Sequence, residues 1–266
     1  MIRISTVIIT FNEQRNLARC LESVKDIADE IIIVDSFSTD SSIAIARSYG
    51  ARVVEHHFMG YGEQKNFATR QAGNDWILSL DADEALSPEL IKRIIEIKKA
   101  PEQNVYEMSR ITNYCGKWIK YCGWYPDRQT RLYNRKKGKW EEKKVHEFWR
   151  PDDEKDAIGL LKGDILHYSF NTINEHLHKI EKYSELAARE MVENGKNATL
   201  MKIFFSPKWH FINEFIIQLG FLDGFYGYTI CRLSVYATFL KYSKIRLYYR
   251  QLHGTGKNIR HDTGNS

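Results

Sequence analysis

Cysteine and proline are scarce in this chain, whose 266 residues include four Cys and five Pro. The cysteines, at positions 20, 115, 122 and 231, form no Cys-x-x-Cys pair, which argues against a disulfide scaffold and against a paired-cysteine zinc site. The first residues also lack a basic segment followed by a long apolar run and a small-residue cleavage site. We therefore expect a chain of the reducing cytosol with four thiols.

Glycine-rich phosphate-binding motifs are missing as well. No Gly-x-Gly-x-x-Gly follows an apolar run, and neither Gly-x-x-x-x-Gly-Lys-Ser/Thr nor Gly-x-Ser-x-Gly occurs. A dinucleotide fingerprint, a P-loop and a nucleophile elbow are therefore excluded. Any phosphate would have to be held by a metal ion and by a side chain such as Lys65.

Long hydrophobic runs are absent too, although a transmembrane helix needs about 20 apolar residues. Four charged residues divide the segment after residue 200 into apolar runs of eight: Glu214, Asp223, Arg232 and Lys241. Residues 201–250 nevertheless hold 14 of the 34 aromatic residues, and the chain from 201 onward has nine Lys/Arg against three Asp/Glu. This pattern favours helices lying in a membrane interface, with an amphipathic helix pair packed on the protein core as the alternative. It is a poor fit to nucleic acid, since the basic residues alternate with apolar runs.

Strands and helices alternate over the first 100 residues. Short β-branched or apolar runs predict strands at residues 6–10, 31–34, 51–54 and 76–80, with helical patterns between them and at 63–73, 89–99 and 172–195. Such alternation indicates βαβ units and a mostly parallel sheet covered on both faces. Ligands of these sheets bind beyond the carboxyl ends of the strands, here residues 10–13, 35–40 and 81–84.

An acidic pair follows the fourth predicted strand directly, in Asp81-Ala82-Asp83-Glu84. Two carboxylates one residue apart can converge on one hard cation while the intervening Ala packs inward. Mg²⁺ and Mn²⁺ prefer oxygen ligands and often bridge to substrate phosphates. Placed after three strand–helix units, the pair predicts a nucleotide-diphosphate site.

Four motifs in this order resemble those of family 2 inverting glycosyltransferases with the GT-A fold. They are VIITFNE at residues 7–13, IIVDSFSTD at 32–40, QKN at 64–66 and LDADE at 80–84. Further along, WYPD at 124–127, RLY at 131–133, VHE at 145–147 and GFLDG at 220–224 resemble the branch containing bacterial lipopolysaccharide-core glucosyltransferases. The resemblance implies a three-layer α/β/α domain with a C-terminal amphipathic helical extension.

The resemblance also implies roles for the polar residues at the strand ends. Four side chains would line the pocket for the nucleotide base and ribose: Thr10, Glu13, Asp35 and Lys65. Asp81 would contact the ribose or the metal, and Asp83 would bind the metal, a Mg²⁺ or Mn²⁺ ion that stabilises the leaving diphosphate. The chain departs from the family pattern at Ser36, where a second Asp is usual, and at Phe37, where Gly is usual.

An inverting transfer needs one general base to deprotonate the acceptor hydroxyl. The candidates are Glu147, beside Phe148 and Trp149, and Asp127, after the WYP triplet. Apolar neighbours favour a carboxylate with a raised pKa, so we prefer Glu147. Either carboxylate could instead be ion-paired with a nearby cation: Arg128, Arg131, Lys143 or Lys144. His146 or His167 could add a metal ligand, or be a structural histidine.

These expectations combine into a predicted function and domain organisation. Residues 1–103 would bind the donor, 104–195 the acceptor, 196–253 would associate with the membrane, and 254–266 would form a flexible tail. The enzyme would lie in the cytoplasm at the inner face of the cell membrane and move a hexose from a nucleotide sugar, UDP-linked, to a lipid-linked saccharide such as lipopolysaccharide inner core. A scaffold without activity and a nucleotidyltransferase are the alternatives.

Overall fold

The structure, a computed structural model, describes residues 1–141, 148–153 and 157–254. It divides into two compact units, one formed by Met1–Asn113 with Tyr125–Ser169 and the other by Tyr114–Trp124 with the chain from Phe170 onward. The second unit therefore takes in the helix predicted at 172–195, which the sequence grouped with the acceptor region. The functional boundaries at 103, 195 and 253 stay predictions.

Strands and helices alternate in the described residues as the sequence predicts. In chain order they are β1 (Ile4–Thr10), α1 (Leu17–Val24), β2 (Glu30–Asp35), α2 (Ser42–Ser48), β3 (Arg52–Glu55), α3 (Tyr61–Gln71), β4 (Trp76–Asp81), β5 (Glu84–Leu86), α4 (Pro88–Lys99), β6 (Val105–Tyr114), β7 (Lys117–Ile119), β8 (Asp127–Asn134), β9 (Gly138–Trp140), β10 (Trp149–Pro151), β11 (Ile158–Phe170), α5 (Ile173–Glu193), α6 (Leu200–Phe211) and α7 (Gly224–Gly254). A π-helical turn (Ile212–Ile217) and a 3₁₀ turn (Gly220–Asp223) lie between α6 and α7.

One mixed sheet organises the first unit, with strand order β3-β2-β1-β4-β8-β6-β11-β5. The four strands from β3 to β4 are parallel, whereas β8 pairs antiparallel with β4, and β5 antiparallel with β11. The register places Thr10 opposite Asp35 and Ile9 opposite Asp81. The carboxyl ends of β1, β2 and β4 therefore meet at one edge of the sheet.

Hydrophobic residues cover both faces of this sheet, because successive side chains of a strand point to opposite sides. On β1, Ile8 joins a core cluster with Leu17 and Leu21 of α1 and with α4, while Val7 joins a second cluster with Ala68 of α3. Helices thus pack on both faces. The predicted three-layer α/β fold of GT-A type, with a helical C-terminal segment, is confirmed.

Helices α5, α6 and α7 make up most of the second unit. Its core has one cluster around Tyr114, Ile119 and Ile230, and another where Ala188 packs with Ile245. Within the described residues no helix has both the length and the apolar character needed to cross a membrane.

The GFLDG motif has a structural explanation in this unit. The buried carboxylate of Asp223 accepts hydrogen bonds from the backbone N–H groups of Lys120 (3.1 Å) and Tyr121 (2.8 Å). Three residues after the motif, a Cβ on Gly227 would lie 1.9 Å from the carbonyl oxygen of Gly220. The motif therefore fixes the chain at the start of α7.

Candidate donor and metal site

The loops after β1 and β2 form the first part of the site and hold each other in place. The side chain of Asn12 accepts a hydrogen bond from the backbone N–H of Thr39 (2.8 Å), and the carboxylate of Asp40 accepts one from the N–H of Gln14 (3.0 Å). Ser42 Oγ accepts the N–H of Glu13 (2.8 Å). Three cross-links between two loops give a rigid frame for a ligand.

Three predicted nucleotide-binding residues lie in this frame. Thr10 is buried, and its hydroxyl has no hydrogen-bond partner among the described residues. Both oxygens of Asp35 are occupied by Ser38, through its N–H (2.7 Å) and its hydroxyl (2.5 Å). Glu13 accepts a hydrogen bond from the Asn16 side chain (2.8 Å). Thr10 therefore has unused hydrogen-bonding capacity, while Asp35 fixes its own turn.

Asp81, the last residue of β4, lies between two cations. Its Oδ2 accepts a hydrogen bond from Arg131 Nη2 (2.7 Å), and its Oδ1 lies 3.3 Å from Lys65 Nζ. Burial alone would raise the pKa of Asp81, but the Arg131 and Lys65 charges hold that pKa well below its usual range. Lys65 is itself only 1 % exposed and lies over the ring of Trp140. Asp81 is therefore a fixed anion at neutral pH.

Asp83 points to a different partner. Its Oδ2 lies 3.2 Å from His167 Nε2 on β11, and its carbonyl oxygen accepts the N–H of Tyr168 (2.9 Å). Ala82 between the two acidic residues is buried, as the sequence predicts. The two carboxylates are thus divided between Arg131 and His167, so the convergence on one cation expected from their spacing stays a prediction.

Asp83 and His167 fit a metal site that needs further ligands from the substrate. Within the described residues no cluster of three or more His, Cys, Asp or Glu could hold an ion by itself. A carboxylate, an imidazole and phosphate oxygens would suffice, since Mg²⁺ and Mn²⁺ are commonly held by one or two protein carboxylates and the substrate phosphates. His167 Nδ1 is buried and has no hydrogen-bond partner among the residues that the structure describes.

A buried ion network supports this turn, and the sequence argument missed it. Glu84 is 1 % exposed, its Oε2 accepts the N–H of Asp81 (3.0 Å), and its Oε1 accepts hydrogen bonds from Arg131 (2.6 Å) and Arg110 (3.1 Å). Burial disfavours a charged guanidinium, yet the Asp81 and Glu84 charges raise the pKa of Arg131 above its ordinary value. Glu84 and Arg131 both occur in the quoted motifs LDADE and RLY, which was the available signal.

Asp127 lies at the far end of the same network. Arg110 donates to its Oδ2 through Nε (2.8 Å) and Nη2 (2.6 Å), and Gln129 donates to its Oδ1 (2.7 Å). Its ion-pair partner is thus Arg110, which was not among the cations considered from the sequence. The preferred base, Glu147, lies outside the described residues, as does His146.

Comparisons with known proteins identify relatives of the whole chain. Residues 5–151 match the family model "Glycosyl transferase family 2". An uncharacterized glycosyltransferase of Rickettsia prowazekii is 35% identical over 92% of this chain and 87% of that protein. The lipopolysaccharide core biosynthesis glycosyltransferase LpsC of Rhizobium meliloti is 32% identical over 91% of each chain.

Two solved structures show a more distant likeness. TarS of S. aureus is 14% identical and covers 98% of this chain and 94% of its own, with a TM-score of 0.46. Glucosyl-3-phosphoglycerate synthase of Mycobacterium tuberculosis is 22% identical over 42% of this chain and 44% of its own, with a TM-score of 0.36. With the family model matching more than half of the sequence, the chain belongs to glycosyl transferase family 2.

Proposed function

We propose that this glycosyltransferase moves a hexose from a UDP-linked donor to a hydroxyl of a lipid-linked saccharide, with inversion at the anomeric carbon. The observation that carries the proposal is the Asp83–His167 pair directly after β4, beside an Asp81 held by Arg131 and Lys65. Anionic and cationic groups lie together at the edge where parallel-sheet enzymes bind their ligands.

Asp83 and His167 would hold the cation, Mg²⁺ or Mn²⁺. When bound, the ion would stabilise the negative charge that develops on the departing diphosphate, without proton transfer. Thr10, whose hydroxyl has no partner in the described part of the chain, and Glu13 would contact the nucleoside, and Lys65 would add positive charge near the phosphates. Asp35 would act by fixing the loop after β2 through its bonds to Ser38.

The base would be Glu147 or Asp127. Arg110 donates two hydrogen bonds to Oδ2 of Asp127 and Gln129 donates one to Oδ1, so Asp127 would accept the proton at Oδ1, which has a second lone pair. Glu147 has aromatic neighbours in the sequence, Phe148 and Trp149. We keep Glu147 as the preferred base, and comparing E147Q with D127N distinguishes the two.

The acceptor follows from the relative and from the surface of α6. LpsC is a lipopolysaccharide core glycosyltransferase, and we propose an acceptor of the same kind, a saccharide on a lipid anchor. On α6 four exposed apolar residues, Met201, Phe204, Phe205 and Trp209, follow at helical spacing. Lys208 lies over the Phe205 ring, a combination suited to anionic lipid headgroups. The enzyme would thus lie at the inner face of the membrane.

Isothermal titration with UDP, GDP and dTDP, each with and without Mn²⁺, tests the donor and metal together. We expect Mn²⁺-dependent UDP binding that is lost in D83A and kept in D26A, a control carboxylate exposed on the same unit. Product analysis with UDP-hexoses and lipid-linked acceptors then tests the transfer. Absence of nucleotide binding in the wild type would refute the donor assignment and favour a scaffold without activity.

A further inference from the structure

A cavity lies on the first unit, between α3 and strands β8, β9 and β10. Its volume is about 520 Å³, within the range of small-molecule sites. Tyr133, which lines it, is paired with Ile77 near the start of β4. Asp81 follows Ile77 by four residues, or roughly 13 Å along the strand. Trp140 of the lining carries Lys65 over its ring, so the cavity adjoins the donor site at this ring.

Positive charge dominates the lining of this cavity. Among the described residues of the lining, four have cationic side chains and none has a carboxylate: the cations are Arg70, Arg135, Lys136 and Lys139. Asp75 compensates two of these cations, at 2.8 Å from Lys136 and 3.8 Å from Arg135. The lining formed by the described residues is therefore net positive, which attracts an anion.

A buried donor without an acceptor lines the same cavity. Trp149 is 5 % exposed, and its indole Nε1 has no hydrogen-bond partner within the described residues. Leaving such a group unpaired is costly, and buried polar groups nearly always find a partner. An anion bound in the cavity would supply the missing acceptor.

Hydrogen bonds hold the walls of the cavity in place. The Asn66 side chain donates to the carbonyl of Trp140 (2.8 Å) and accepts its N–H (3.0 Å). Tyr133 Oη accepts the Trp140 indole N–H (2.8 Å) and lies 2.9 Å from Thr69 Oγ1. The cavity is therefore formed before a ligand arrives, which reduces the entropy lost on binding.

We propose that this cavity binds a phosphorylated saccharide. A phosphate offers several charged acceptor oxygens for the cations and for the indole N–H, and such bonds are the strong ones. The volume of the cavity exceeds that of one phosphate group, so there is room for an attached sugar. The identity of the ligand as a saccharide rests on the proposed function, whereas the anion site does not.

Isothermal titration in metal-free buffer tests the proposal with three probes: glucose 6-phosphate, inorganic phosphate and glucose. We expect glucose 6-phosphate to bind, inorganic phosphate to bind more weakly and glucose not to bind.

The double variant R70Q/K139Q should weaken binding at least about tenfold, as expected for lost charge-assisted contacts. The control R47Q/K92Q removes two exposed cations elsewhere on this unit and should bind as the wild type does. W149F keeps an aromatic ring, loses the donor and should also bind more weakly.

Three results would overturn the site: no binding of any probe, unchanged binding in R70Q/K139Q, or displacement of glucose 6-phosphate by UDP with Mn²⁺. Inorganic phosphate binding as tightly as glucose 6-phosphate would overturn the saccharide assignment. Because UDP is titrated separately, a failure of the donor proposal gives a different result from a failure of this one.

Discussion

The two units of this protein differ in which side chains they bury and which they expose. The first buries a network of charges, in which Lys65, Glu84 and Arg131 are each about 1 % exposed. The second exposes aromatic residues, with Phe204 and Trp209 each 62 % exposed and Phe225 72 % exposed. Buried charges and exposed apolar groups both reduce stability, so each pattern marks a place where function has shaped the sequence.

Replacing Asp83 should give the largest effect. In D83A we expect hexose transfer to fall by about 1000-fold, because a metal ion contributes several kcal/mol to charge stabilisation. The melting temperature should stay near that of the wild type. Transfer assays on D83A and on the exposed control D26A measure the difference. Wild-type activity in D83A would refute the proposed role of Asp83 in holding the metal ion.

Removing the central cation of the network should mainly affect stability. Arg131→Met leaves Asp81 and Glu84 without their shared partner, and breaking a buried pair costs about 3–5 kcal/mol. Urea unfolding measures this loss. The control Arg93→Met removes an exposed partner of Glu96 and should leave the urea midpoint unchanged. Equal midpoints for both variants would contradict the importance of burial.

The exposed aromatic residues of the second unit are tested with vesicles. The triple variant F204S/F205S/W209S should bind anionic vesicles about 100-fold more weakly, since each partly buried side chain contributes on the order of 1 kcal/mol. Co-sedimentation gives the comparison with I95S/I158S/L160S, which removes three exposed apolar residues of the first unit. A similar loss in both variants would show that the α6 surface is not specific for membrane.

The second unit also buries the imidazole of His176, and its effect should be the smallest. Burial among Tyr114, Trp124 and Phe170 lowers its pKa from 6.5 to about 4. Between these values the unfolded chain binds more protons, so stability is full above pH 6.5 and falls as the pH falls towards 4. We expect a contribution of about 2 kcal/mol, after allowance for solvent screening.

Urea unfolding at pH 6.5 and at pH 4.5 measures this dependence in H176Q, which should lose part of the pH slope. The exposed neighbour provides a matched control, and H178Q should keep the wild-type slope. An unchanged slope in H176Q would assign the pH dependence to other groups.

Part of the site could be predicted from the sequence, because it depends on residues that are close together in the chain. The strand before Asp81 and the helix containing Lys65 follow from periodicity, and a parallel sheet brings such strand ends together. The hydrogen-bond and ion-pair partners of the site residues could not be predicted from the sequence. An ion pair of Asp127 with Arg128 or Arg131 was one open alternative, but the antiparallel register of β6 and β8 places Arg110 opposite it. His167 was one of two histidines considered as an additional metal ligand. The pairing of β11 with β5 places it opposite Glu84.

The sequence by itself determined the order of strands and helices, the family, and the set of polar residues at the strand ends. These properties depend on residues close together in the chain, where spacing and side-chain type decide the local conformation. Only the tertiary structure decided which charges are paired. Arg131 reaches Asp81 across 50 residues and Glu84 across 47, through a strand register that no local pattern specifies. The same holds for the exposed aromatic residues of α6, since periodicity defines a helical face but only packing decides what covers it.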